Sequence, residues 1–299
     1  EVQACSGYQA FYYGTLDQAK ELLEMAYDGL AARSPDEINP AFWPLPNDSI
    51  AVTTIALATI AALQGDVDAA TRWERIAYER VEAIGTDRGP FSHAFVDVYA
   101  SFIRRVQNDD EAARRFGGDA VAVGQEHGYT YWVMLGNLYQ MAPTADGDPD
   151  PEFLAACIDA LRGIGHYAFL GSALVSLAEI HADAGELEQA LDVIDDAMVT
   201  VDKTGEELHR PEIQRRRVEY RRRLVGAHPG DLRELEAAYR AAVDKDIHVI
   251  ALRLAIDIAG LPEDERPEGW RATLGEARER LPADSATAEA AAADAILAS

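Results

Sequence analysis

The sequence predicts an all-α fold of stacked helical hairpins, on three observations. Apolar residues recur at helical spacing along the chain, and no strand-like alternation survives. Alanines follow a turn-forming Gly or Asn five and twelve residues later in four places: Gly14/Ala19/Ala26, Gly65/Ala70/Ala77, Asn108/Ala113/Ala120 and Gly185/Ala190/Ala197. A further glycine lies eight residues past the last alanine at Gly85, Gly128 and Gly205, and Cys157 and Gly165 share that spacing. Gly or Asn accepts the left-handed conformation that ends a helix, and alanine lets two helices approach closely.

The stretch Gly171–Gly205 is the template. Leu174, Leu177, Ala178 and His181 share one helix face, and Asp183-Ala184-Gly185 makes a turn. Leu187, Ala190, Leu191, Ile194, Ala197 and Met198 then form a second apolar face. One such hairpin cannot bury its apolar side alone and needs copies stacked on it.

The copies follow in order. Val2–Tyr13 stops at Gly14, and Leu16–Ala32 returns against it. Arg33–Asn47 is a proline-rich loop whose Phe42 and Trp43 either pack across the array's N-terminal edge or meet a partner. Asp48–Leu63 is the most apolar helix, yet it is short, rich in Thr and Ala, and closed by Gln64-Gly65-Asp66, so it is a packed helix and not a membrane span. Val67–Ile84, Pro90–Gln107, Asp110–His127 and Tyr129–Ala142 continue the alternation. A turn-rich connection, Ala142–Pro151, leads to Pro151–Ile164, and the template pair Tyr167–Ala184 and Leu187–Thr204 follows. Glu207–Val225, Leu232–Asp244, Ile247–Ala259 and Pro267–Leu281 complete the hairpins, with Gly260–Arg266 before the last helix of the four. The alanine-rich Ala286–Ala298 reads as a cap.

Composition narrows the function. The chain has 299 residues, of which 48% are hydrophobic, enough for a continuous core. A net charge of −25 disfavours nucleic-acid and anionic-membrane partners. Cys5 and Cys157 form no redox or metal motif and read as reduced thiols, which fits a cytoplasmic location. Lysine occurs only at Lys20, Lys203 and Lys245 in a chain rich in Arg and Ala, a bias suggesting a bacterial source. There is no signal-peptide pattern, and the chain opens inside a helical pattern, so 1–299 reads as a single domain cut from the C-terminal part of a longer protein.

Chemistry is sparse. Gly163-Ile-Gly165-His-Tyr-Ala168 mimics a dinucleotide loop but follows no strand. Asp146-Gly-Asp148-Pro-Asp150 starts like a calcium loop but has Pro151 at its sixth place and Cys157 at its twelfth. His93, His127, His181 and His228 are scattered. No catalytic constellation, metal site or cofactor motif is expected. The local anomaly is Arg210, Arg215, Arg216, Arg217, Arg221, Arg222 and Arg223, crowded on one helix of an acidic protein. Either they pair internally, for example with Asp192, Asp195 and Asp196, or they hold an anionic ligand by paired donors.

Trp132-x2-Leu135-Gly136-x2-Tyr139 matches the first-helix signature W-x2-L-G-x2-Y, so the chain resembles a tetratricopeptide repeat array. That resemblance implies a right-handed α-solenoid of about seven hairpins plus the C-terminal capping helix. It also implies that the second, fifth, ninth and twelfth positions of the first helices line a concave groove. Carried over, those positions are Phe95, Val98, Phe102 and Arg105 in one hairpin, and Val133, Asn137 and Gln140 in the next. Further on they are Glu179, then Glu212, Arg215, Glu219 and Arg222. The implied groove is apolar and aromatic in its N-terminal half and charged in its C-terminal half, with Phe95 and Phe102 seating an apolar anchor.

Several stretches are similar to a narrower family, the C-terminal repeat arrays of bacterial STAND-type signalling ATPases. These include regulators like the maltose-regulon activator and ATPases fused to class III adenylate/guanylate cyclases. The similarity rests on Tyr12–Leu23, Ala173–Gly205, Glu207–Arg210, Glu236–Ala242 and Ile250–Ala255; the shortened turn at Lys245-Asp246 and the arginine-dense helix depart from it. It implies a non-catalytic sensor or scaffold for signal transduction or transcription regulation, binding a protein or peptide partner in the groove. A small-molecule inducer, or homo-oligomerisation through the helix faces, is the alternative.

Overall fold

In the computed structural model, which describes residues 2–33, 47–85, 89–140 and 149–299, every regular element is a helix. Fifteen helices form among the described residues, and no strand does. They are α1 (Val2–Tyr12), α2 (Leu16–Leu30), α3 (Ser49–Leu63), α4 (Val67–Ala83), α5 (Gly89–Val106), α6 (Asp110–His127), α7 (Thr130–Gln140) and α8 (Pro151–Gly163). After them come α9 (Leu170–Asp183), α10 (Leu187–Thr204), α11 (Arg210–Val225), α12 (Asp231–Asp244), α13 (His248–Ala259), α14 (Trp270–Glu279) and α15 (Ala288–Ala298). Each matches an expected helix to within a few residues, the largest offset being three, at the starts of α9, α11 and α14. Phe42, Trp43, Asp146 and Asp148 lie outside the described residues, while Asp150 caps α8 by accepting from the Phe153 N–H at 3.0 Å.

The turn residues do what their spacing requires. Gly14, Gly65, Gly185 and Asn108 all have positive φ, between 59° and 83°. Gly85, Gly128, Gly165 and Gly205 repeat it at the ends of second helices, and Asp246 does so at the turn where no glycine stands. Both alanines of all four triplets are at most 2% exposed, so each marks a helix crossing. The closest crossing uses the tetratricopeptide-like signature itself, since a Cβ on Gly136 would lie 2.7 Å from the Gly117 carbonyl oxygen.

The described chain separates into two compact units, Glu1–Phe11, Thr15–Ala62 and Asp68–Leu161 in the first, and Tyr12–Gly14, Leu63–Val67 and Arg162–Ser299 in the second. In the first unit α3 is buried on nearly every side, with Ile55, Ala56, Ala58 and Thr59 sealed. Its start is fixed by Asp48, whose carboxylate accepts from the N–H groups of Ile50 and Ala51 at 2.9 Å and from Arg80 through two nitrogens at 2.7 and 3.0 Å. Also in this unit, α5 packs on both α6 and α7.

In the second unit consecutive helices from α9 to α15 pack in series. The first helices also touch their successors directly, α9 on α11, α11 on α13 and α13 on α15. That double pattern is the hallmark of a helical repeat array, in which a hairpin's first helix meets its own partner and the next first helix. No helix among the described residues is long and apolar enough to cross a membrane.

Candidate functional site

The first helices of the second unit carry the charged positions that the sequence singled out. Four α11 residues, Glu212, Arg215, Glu219 and Arg222, recur at three- and four-residue intervals and therefore share a face. Arg215 is only 8% exposed. Its Nε and Nη2 donate to the two oxygens of Glu212 at 2.8 and 2.7 Å, a fork-to-fork pair. Its Nη1 donates to Asp257 on α13 at 3.0 Å, and Glu219 lies 3.9 Å from the same nitrogen.

Arg216 points toward α9. It pairs with Glu179 there, donates to Glu212 at 3.1 Å, and donates to Glu219 at 2.9 Å. Arg223 donates to the Ala182 carbonyl of α9 at 2.8 Å. Arg222 joins Asp231 at 2.9 Å and Glu265 at 2.7 Å, while Arg217 and Arg221 turn to Glu234 and Asp231 at the start of α12. Arg210 is held by Glu207 and Asp202.

Every arginine in the crowded run therefore has a carboxylate or carbonyl partner. The partners differ from those suggested by the preceding helix. Of Asp192, Asp195 and Asp196, only Asp195 approaches an α11 arginine, Arg217 at 3.8 Å, and Asp196 serves Arg162 at 2.9 Å. Helix phase explains this, because Arg215 and Arg216 project toward neighbouring first helices and not toward α10.

The electrostatics follow the geometry. Burial raises the Glu212 carboxyl, but Arg215 and Arg216 outweigh it and hold the group far below the usual carboxylate range. Asp257 goes the other way. Burial raises it, and repulsion from Glu212 and Glu219 adds to that, against the opposing pull of Arg215. Three carboxylates thus converge on one guanidinium. Asp257 and Glu219 are the more open of the three, with side chains 36% and 34% exposed against 15% for Glu212.

The corresponding positions in the first unit are different in kind. Phe95, Val98 and Phe102 are at most 8% exposed. Phe95 stacks on Tyr99 with ring centroids 4.6 Å apart and meets Trp132 edge-on at 5.8 Å, and Tyr8 of α1 closes on both Phe95 and Tyr99. Phe102 has Tyr139 edge-on at 6.4 Å. Both phenylalanines thus sit among rings of the protein itself. Arg105 pairs with Asp110 at 2.7 Å. Val133, Asn137 and Gln140 are half-buried on α7, Val133 against Gly124 and Gln140 against Gly117 and Gly118 of α6.

The sequence reading missed Asp257 and Arg253, which with Ile250 repeat on α13 the same three-then-four spacing as Glu212, Arg215 and Glu219. That spacing was the available signal. Arg253 binds Glu289 of α15 at 2.7 Å, extending the charged face to the last helix. Among the described residues no group of three or more His, Cys, Asp or Glu is arranged to hold a metal ion. Of the histidines, His181 bonds Glu186 across its hairpin turn at 2.7 Å, and His228 accepts from the Gly230 N–H at 3.1 Å.

No family model and no curated protein matches the sequence. A solved structure, the apo form of RapI, is similar in fold, with a TM-score of 0.57 at 11% identity; the match covers 93% of this chain and 97% of RapI. At that identity the likeness speaks to fold alone: this chain, like RapI, is an all-helical, tetratricopeptide-like repeat protein.

Proposed function

We propose that this chain is a non-catalytic binding module that takes up a protein or peptide segment on the face made by α9, α11 and α13, as the sensor or scaffold part of a bacterial cytoplasmic signalling regulator. The observation that supports this most is the lattice of ion pairs on that face, with Arg215 at its centre. Ion pairs taken out of water stabilise a fold no better than apolar packing of the same volume, and often less well. What they supply is a set of polar groups fixed in position before a partner arrives, which lowers the ordering cost of binding.

We place the module beside a nucleotide-driven switch on the resemblance of Tyr12–Leu23 and Ala173–Gly205 to STAND-type repeat arrays. In that setting the partner acts by binding one state of the switch better than the other. Panning a random-peptide library on the purified chain tests the reading, with a Glu219→Lys/Asp257→Lys variant as the counter-selection. Enrichment of peptides that bind the wild type about tenfold tighter than the variant is the expected result. Equal recovery on both proteins would remove the face from consideration.

A further inference from the structure

We propose that His93 and Asp97 of α5 hold one proton between them, with Tyr78 of α4 as the donor that fixes Asp97, so that the seating of α4 on α5 responds to pH. This concerns the first unit and stands apart from the binding role proposed above.

Asp97 is 2% exposed. Its Oδ1 accepts from the Tyr78 hydroxyl at 2.8 Å, and its Oδ2 is buried with no hydrogen-bond partner among the described residues. A carboxylate taken out of water with one neutral donor is costly, so it either takes up a proton or gains a cation. His93 stands one helical turn earlier on α5 and opens both routes. Its Nε2 lies 3.7 Å from the same Oδ1, inside ion-pair range but too long for a hydrogen bond. Its side chain is 42% exposed against 3% for Asp97, so protons reach the pair from water through the imidazole. The ring also meets Tyr78 edge-on at 5.8 Å, which closes the triangle of three side chains.

The surrounding charges favour the proton. On α4, Glu82 acts on His93 and Glu74 on Tyr78; on α6, Asp119 acts on both His93 and Asp97. The cation of this cluster, Arg104 of α5, is held by Glu74 at 2.6 Å and lies over the Phe116 ring of α6. Asp48, whose N–H donates to Ser92 beside His93, is paired with Arg80. Helices α1 and α7, which also meet α5, carry no Asp, Glu, His, Lys or Arg.

Burial lowers the His93 imidazole and raises the Asp97 carboxyl to about 7, which brings the two into one range. Groups this close titrate as a pair. One proton on either site makes the pair neutral; without it, a buried anion is held by the Tyr78 hydroxyl.

Nuclear magnetic resonance on the intact chain tests this by following the His93 ring and the Asp97 carboxyl carbon from about pH 5 to 9. The two signals are expected to share a midpoint near 7. Asp97→Asn is expected to drop the His93 midpoint below its ordinary 6.5, because burial remains and the partner charge is gone. Tyr78→Phe is expected to raise the shared midpoint, since ionised Asp97 loses its donor. Amide exchange, corrected for its intrinsic pH dependence, reads the seating. Opening about Tyr78 is expected to be about twofold rarer at pH 6 than at pH 8 in the wild type, and more frequent at pH 6 in Asp97→Asn. Separate midpoints for His93 and Asp97, or a His93 midpoint unmoved in Asp97→Asn, would overturn the shared proton. A shared midpoint with the same pH dependence of exchange in both proteins would keep the proton but overturn its effect on α4.

Discussion

Arg215 of α11 and Asp257 of α13 are joined by a 3.0 Å hydrogen bond, and the same guanidinium grips Glu212 through its other two nitrogens. One buried side chain thus ties two first helices together. Removing it leaves Asp257 without its ion-pair partner and Glu212 with Arg216 alone. Arg215→Ala is expected to lose about 3–5 kcal/mol in urea unfolding, the range for breaking one partner out of a buried ion network. Arg215→Lys keeps the charge but not the fork and is expected to fall between the two.

The same node sets an acid limit. The Glu212 carboxyl is held below its ordinary value in the folded state, so its contribution is present above the unfolded pKa, near 4.5, and is lost as pH falls below it. Urea midpoints of the wild type are expected to drop on acidification through that range. The Glu212→Gln variant, which has no such proton to take up, is expected to show a shallower drop. Parallel curves for the two proteins would contradict the linkage.

Glu206 works with the opposite sign. Its carboxylate accepts from the Phe169 N–H at 3.0 Å, but burial dominates and pushes its pKa up to about 7. The folded state therefore holds this proton more tightly than the unfolded chain, and stability present below about 4.5 is lost as pH rises toward 7. Glu206→Gln keeps an acceptor for Phe169 and removes the charge. It is expected to exceed the wild type by about 3 kcal/mol at most at pH 8, with no advantage at pH 4.5. Burial keeps the nearby His209 neutral down to about 4, so both proteins also weaken between 6.5 and 4, and the comparison for Glu206 is read above 6.5.

Gly136 and Gly117 bring α7 and α6 together backbone to backbone. A methyl group at Gly136 would press on the Gly117 carbonyl oxygen at 2.7 Å, and backbone yields less readily than a side-chain tip. Gly136→Ala is expected to cost about 1–3 kcal/mol by thermal unfolding, in spite of alanine's better helix propensity. Gly163→Ala, where a Cβ meets nothing within 4 Å, serves as the control and is expected to change little.

The repeat was legible because its constraints are local. A positive φ at Gly14, Gly65, Asn108 and Gly185 and a close crossing at each alanine demand particular residue types at fixed distances. The charged face was legible in part, because helix phase alone places Glu212, Arg215, Glu219 and Arg222 together. Their partners were not, since the choice between Asp196 on α10 and Asp257 on α13 depends on which neighbour each arginine reaches across a helix packing. Asp246 compounded this, because it takes the left-handed turn position where the pattern has glycine and so hid the phase of α13. The aromatic positions show a second limit. Phase predicts that Phe95 and Phe102 share a helix face, but not that Tyr8, Trp132 and Tyr139 come to meet them from elsewhere in the chain.

On the proposed function, Glu219 and Asp257 serve recognition more than folding. One protein, Glu219→Gln/Asp257→Asn, gives both readings: its thermal midpoint and its affinity for a peptide enriched on the wild type by panning. The expected result is a midpoint within about 4 °C of the wild type together with an affinity loss of about tenfold. A protein that melts much earlier yet binds the peptide as before would contradict it and make the lattice a structural brace.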